Sequence, residues 1–143
     1  MAWLALSPDL LVPTLTLADK TKVPAHYLAK VLQQLASAEL VTGRRGVRGG
    51  YKLARAAKDI SLLSVVRAVS EVERITTCPL GLSNHGPNLC PLHRTVDAAA
   101  RLVIELLDDR TLEDLITEPG VSKPLCDAEA TARLTVSAGS SKR

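Results

Sequence analysis

Within thirty residues the hydrophobic period of this chain changes from that of a helix to that of a strand, and this switch limits the fold more than any other feature. Leu28, Val31, Leu32 and Leu35 recur at i, i+3, i+4 and i+7, one apolar stripe on a helix. Pro24 suits the first turn of that helix, where its missing N–H costs nothing. Two short β-prone runs follow, 40–42 and 51–53. They flank Gly43-Arg44-Arg45-Gly46-Val47-Arg48-Gly49-Gly50, which predicts a hairpin with a basic tip whose glycines let it turn tightly and approach a ligand closely. Upstream, Thr16 with Asp19 three residues later resembles a capping box and predicts a short helix ending near Lys22. Two short helices, a tight turn and a hairpin make a winged helix-turn-helix.

The rest of the chain reads as helix. Phe is absent and the aromatics are Trp3, Tyr27 and Tyr51, so the core must be aliphatic, which favours packed helices over a β-sandwich. Residues 2–7 look like the last turns of a helix stopped by Pro8. Ser61 is placed to cap a helix that buries Leu62, Val65, Val66 and Val69. A loop rich in Pro, Gly and Asn spans 77–88, and the longest helix is expected over 90–109. On it Leu92, Val96, Ala99, Val103 and Leu106 alternate spacings of four and three, an a/d seam that suggests pairing with the same helix of a second copy. Packing on its own domain is the alternative. Thr111-Leu112-Glu113-Asp114 caps a last short helix to 117, and 118–143 reads as a loosely ordered tail. The expected organisation is thus mainly α with a small β wing. A DNA-binding unit covers 1–75, a Cys/His loop 76–89, and a dimerisation helix with a short terminal helix 90–117.

Charge points to the partner. Residues 20–58 hold nine Lys and Arg against one acid, Glu39, a balance of +8, while the remainder carries −5. A basic block on an otherwise acidic chain suggests a polyanion met by one face. On the polar face of the 24–37 helix, Tyr27, Lys30 and Gln33 can meet base edges or phosphates, and His26 can contact phosphate. At the hairpin tip, Arg44, Arg45 and Arg48 supply guanidinium groups, and Arg45 and Arg48 can reach a narrow minor groove. Double-stranded DNA and a second copy of the chain are the expected partners. A winged helix used for protein contacts is the second reading, against which the basic block weighs. An enzyme is the third, and the sequence offers no phosphate-binding glycine motif or paired acidic site to support it. No apolar run approaches the roughly 18 residues of a membrane span, and residues 1–12 lack the basic start and cleavage site of a signal peptide, so a cytoplasmic protein is expected.

The cysteines leave sensing open. Cys78, His85, Cys90 and His93 form a set suited chemically to zinc or to a histidine-containing iron–sulfur site, although the spacing is not that of a zinc finger. Cys90 followed by Pro91 sets a thiol at a helix N-terminus, and His93 three residues on shares its helix face. A bound metal or cluster, a Cys78–Cys90 redox switch and a purely structural role all remain compatible with these residues. The third cysteine, Cys126, lies in the tail.

The chain resembles the Rrf2 family of bacterial transcription regulators, which includes IscR-, NsrR- and CymR-type proteins. The resemblance is carried by His26-Tyr27-Leu28-Ala29-Lys30-Val31-Leu32-Gln33-Gln34-Leu35, by Glu39-Leu40-Val41 and by Arg45-Gly46-Val47-Arg48-Gly49-Gly50-Tyr51-Lys52-Leu53. Ile60-Ser61-Leu62 and Thr111-Leu112-Glu113-Asp114-Leu115 also fit. It implies a homodimer on a partly palindromic operator, with the long helix as dimer element and Arg45 in the minor groove. Two departures stand out. Met1-Ala2-Trp3-Leu4-Ala5-Leu6 matches only the second half of the family's opening helix, so reduced stability or DNA affinity is expected. Cluster-binding members carry three cysteines before the long helix; here Cys78 and Cys90 match the outer two, Asn84 takes the middle place, and His93 matches the IscR-type histidine.

Overall fold

The computed structural model of the protein describes residues 1–82 and 88–119. The helices are α1 (Ala2–Ala5), α2 (Thr14–Thr21), α3 (Ala25–Ser37), α4 (Leu62–Val69), α5 (Pro91–Asp108) and α6 (Leu112–Thr117). Strands β1 (Val41–Arg44) and β2 (Gly50–Leu53) pair antiparallel, with Val41 opposite Leu53 and Arg44 opposite Gly50. This is the winged helix-turn-helix with a long C-terminal helix. His85, Asn84, Cys126 and the tail beyond Pro119 lie outside the described residues.

The core sits where α1, α2, α3, the hairpin and α6 meet. Leu4, Ala5, Val12, Leu17, Leu32, Leu35, Leu40, Val41, Leu53, Ile60 and Leu112 are its buried members. It is aliphatic, as the missing Phe requires. Leu32 and Leu35 of the α3 stripe are buried, and Leu28 and Val31 pack against them from its edge. The turn between α2 and α3 runs through Lys22, whose φ of 57° lets the Val23 N–H donate back to the Ala18 carbonyl. Glu39, with φ 56°, reverses the chain out of α3 in the same way.

α2 starts earlier than the sequence suggests. Its N-cap is Pro13, and Thr16 lies inside the helix with no capping bond, while exposed Asp19 faces Lys22 at 3.5 Å. The reason lies in the preceding residue. Val12 exchanges both backbone hydrogen bonds with Tyr51 of β2, each 2.9 Å, which fixes the chain direction. Pro13, with φ of −60°, then launches the helix, and its carbonyl accepts from Leu17 N–H. Pro24 likewise caps α3 instead of occupying its first turn.

α6 returns to the front of the molecule. Leu62 N–H donates to the Arg110 carbonyl at 2.8 Å and Leu112 N–H to the Ile60 carbonyl at 3.0 Å, clasping the starts of α4 and α6 together. Thr111 and Asp114 complete a capping box, and the buried Leu112 enters the core against α1 and the 3-10 turn Ala57–Asp59. Ser61 caps α4 by accepting from Ser64 N–H.

Candidate nucleic-acid interface and thiol site

The polar side of α3 follows from burial of the other side. With Leu32 and Leu35 turned into the core, the 3.6-residue period leaves His26, Tyr27, Lys30, Gln33, Gln34 and Ser37 exposed. Tyr27 is 58% exposed, high for a ring that could have packed on the domain. Lys30 and Gln33 border a hollow of about 560 Å³ that also touches Ala68 near the end of α4.

The wing adjoins α3: β1 packs on it, and Ala36 lines one cleft with Arg44 and Arg45. Arg44 ends β1, Arg45 precedes a turn closed by Gly49 N–H donating to the Gly46 carbonyl at 2.9 Å, and Arg48 lies within that turn. All three arginines are exposed. Gly46 has a φ of +106°, which an L side chain rarely adopts, so it makes the turn. Gly49 and Gly50 are also required by close backbone packing. A Cβ on Gly50 would meet the Val12 carbonyl carbon and oxygen at 2.5 Å, and one on Gly49 would collide with the Arg44 carbonyl. The wing is thereby seated on the chain entering α2, and an open cleft of about 470 Å³ lies between Pro13, Thr14 and the arginines Arg44 and Arg45.

Among the described residues, Lys22 is the one member of the basic block held in an ion pair. Among the described residues, the other lysines and arginines of 20–58 have no ion-pair partner, so their positive charge is not offset by a paired acid.

α5 divides its surface in two. Ala100, Ile104 and Leu107 are partly buried on the side that packs on α4. The seam of Leu92, Val96, Ala99, Val103 and Leu106 faces solvent, with Leu92 67% and Leu106 65% exposed. The two stripes have the same four–three spacing, and the sequence pattern drew attention to the outer one.

Cys78, Cys90 and His93 converge. Cys90 is the N-cap of α5 but makes no capping bond; its Sγ lies 3.4 Å from His93 Nδ1, and Cys78 Sγ lies 4.0 Å from the same nitrogen. Among the described residues the two cysteines are not joined by a disulfide. The segment bearing Cys78 is fastened to α5 by an ion pair that sequence reasoning missed. Arg74 Nε and Nη2 each donate to a carboxylate oxygen of Asp97 at 2.6 Å, and the Ile75 N–H donates to Asp97 Oδ1 at 3.0 Å. These hydrogen bonds and the guanidinium charge hold the Asp97 carboxyl below the usual carboxylate range. Arg and Asp 23 residues apart carry no local signal, so only the folded chain reveals the pair.

A family model described as "Iron-dependent Transcriptional regulator", Rrf2, matches residues 1–118. The chain belongs to the Rrf2 family. It is 32% identical over 108 residues to the protein rrf2 of Nitratidesulfovibrio vulgaris, covering 71% of this chain and 69% of that one. It is 29% identical over 107 residues to the transcriptional regulator IscR of Vibrio atlanticus, covering 75% of this chain and 62% of IscR. Among solved structures, CymR of B. subtilis, titled the global cysteine regulator of that organism, superposes with a TM-score of 0.65 at 25% identity, over 83% of this chain and 88% of CymR. These relatives are transcription regulators and not enzymes, and a DNA-binding regulator is what the family membership supports. Among the described residues no helix is long and apolar enough to cross a membrane.

The family description implies iron. An iron–sulfur cluster calls for four thiolates, or thiolates with histidine in part of the set. Among the described residues no group of three or more His, Cys, Asp or Glu side chains is arranged to hold an ion. Cys78 and Cys90 both contact one imidazole nitrogen, that of His93. The described donors do not fit the iron group.

Proposed function

We propose that the protein is a homodimeric, sequence-reading regulator of transcription that lays α3 in the major groove and the wing along the adjacent minor groove. The observation that carries this reading is the exposure of both the α3 polar face and the wing arginines, with Ala36 of α3 lining one cleft together with Arg44 and Arg45. Gln33 is suited to adenine, Lys30 to guanine or phosphate, Tyr27 to base edges or the sugar–phosphate backbone, and His26 to phosphate. Arg44 provides phosphate contact, and Arg45 and Arg48 enter the minor groove, where narrow A·T-rich segments concentrate negative potential. The cytoplasm is the compartment this role requires.

The second copy is argued from α5. A four–three apolar seam of Leu92, Val96, Ala99, Val103 and Leu106 left exposed on an 18-residue helix is the kind of surface that pairs with its own image about a two-fold axis. A two-fold dimer with one α3 per chain reads a partly palindromic site. Cys78, Cys90 and His93, at the joint between α4 and α5, are the signal-receiving part.

The test is selection of sheared genomic DNA on the immobilised protein. Enrichment of a recurrent, partly palindromic sequence is expected, with Gln33→Ala relaxing preference at one position in each half-site. Recovery indistinguishable from bulk DNA overturns sequence-specific binding and favours a protein-contact module.

A further inference from the structure

We propose that Cys78 and Cys90 form a dithiol oxidised by hydroperoxides to an intrachain disulfide, with His93 as proton acceptor and Asp97 as the residue that presents Cys78. This rests on the reading of the α4–α5 joint as the signal-receiving part. It starts from the misfit of the described donors with iron: among the described residues, two thiols and one imidazole meet and no group of three or more ligands is arranged to hold an ion.

The geometry assigns different tasks to the two sulfurs. Cys90 Sγ, closer to His93 Nδ1, is the attacking sulfur, with the thiol proton passing to Nδ1 in the tautomer protonated at Nε2. The Cys90 sulfur attacks one oxygen of the peroxide. An S–O bond forms and the O–O bond breaks; the leaving hydroxide takes the proton from His93 and departs as water. Cys90 is then a sulfenic acid. The Cys78 sulfur attacks the Cys90 sulfur; the S–S bond forms, the S–O bond breaks, and the released hydroxide takes the Cys78 proton. Two thiols and one hydrogen peroxide give one disulfide and two waters. Hydrogen peroxide is the oxidant, and the cysteines are what is oxidised.

Cys78 must stay within reach for the second step. It lies beyond the end of α4, on a segment with no helix or strand of its own, and a turn closed by Gly81 N–H donating to the Cys78 carbonyl carries the chain away. Asp97 counters that by holding Arg74 and the Ile75 backbone against α5, one helical turn beyond His93. Asp97 touches neither sulfur, so it is a positioning residue. Oxidation would replace the contacts of the two sulfurs with the imidazole and pull on the segment leading out of α4, which packs on both α3 and α5.

The test uses the full chain with Cys126→Ser, reduced and then treated with hydrogen peroxide. The readouts are intact mass, peptide mapping and dimedone trapping of sulfenic acid. Loss of two thiols with a Cys78–Cys90 linkage is expected, and Cys78→Ser should leave a dimedone-reactive Cys90. Asp97→Asn should slow disulfide closure about tenfold while dimedone labelling of Cys90 keeps its rate; Arg74→Gln, which leaves the Asp97 cap on Ile75 in place, is the second variant if Asp97→Asn unfolds. His93→Gln should slow the dimedone-reactive step. No Cys78–Cys90 linkage, or a linkage that closes equally fast in both clamp variants, overturns the inference. Duplex affinity measured on the same reduced and oxidised samples separates the two readings: a disulfide with unchanged affinity upholds the chemistry and overturns the signal-receiving role.

Discussion

At the scale of single residues, the glycines show how one sequence pattern can hold separate tasks. The run from Gly43 to Gly50 marks a wing in the sequence, yet it does not say which glycine does what. Gly46 makes the turn, whereas Gly50 is required because the Val12 backbone passes where its Cβ would be. Val12 is 38 residues away and lies in no regular element, so nothing local announces the contact. Gly50→Ala is expected to destabilise the fold by about 1–3 kcal/mol, as overpacking against backbone does. Gly46→Ala strains only the turn. Thermal unfolding of the two variants checks the ranking; equal midpoints would mean the wing is not seated on Val12. The exposed face of α3 was legible for the opposite reason: its partner stripe is strictly local, and one helix period fixes both sides.

Among the elements, α6 is where sequence patterning reached least far. Its capping box is written plainly in Thr111 and Asp114, so its start was legible. Its destination was not, because Leu112 meets Leu4 and Ile60 only after the chain has folded back across the domain. Leu112→Ala is expected to cost about 2–5 kcal/mol, the range for a buried leucine, although a six-residue terminal helix looks dispensable in the sequence. A chemical denaturation midpoint close to wild type would contradict that place in the core. The cap adds a pH dependence. Hydrogen bonds from the Thr111 N–H and hydroxyl hold the Asp114 carboxyl below the ordinary carboxylate range. Its stabilising effect is therefore complete above about pH 4 and is lost as pH falls through the lowered folded-state value. Asp114→Asn should be less stable than wild type at neutral pH, with the gap closing on acidification, as followed by thermal unfolding from about pH 7 to pH 3.

For the whole molecule, the seam on α5 and the α3–wing face have to act together. A period of four and three was visible in the sequence, but a helix of 18 residues can carry two such stripes, and only the folded chain shows which is already taken by α4. Val103→Glu puts a charge into the open seam without touching the packed one. It is expected to convert a dimer to monomer by light scattering and to weaken duplex binding at least tenfold, since each chain would then hold one half-site alone. An unchanged mass would assign the seam another partner.

The central claim, that the α3–wing face binds duplex DNA, is tested most directly by affinity for a selected duplex across a salt series, in wild type and in Arg45→Ala/Arg48→Ala. The expected result is a steep fall of affinity with salt in wild type. In the variant, binding should be weaker and the slope shallower by about one unit for each phosphate that an arginine no longer neutralises. Identical slopes and affinities in the two proteins would contradict it.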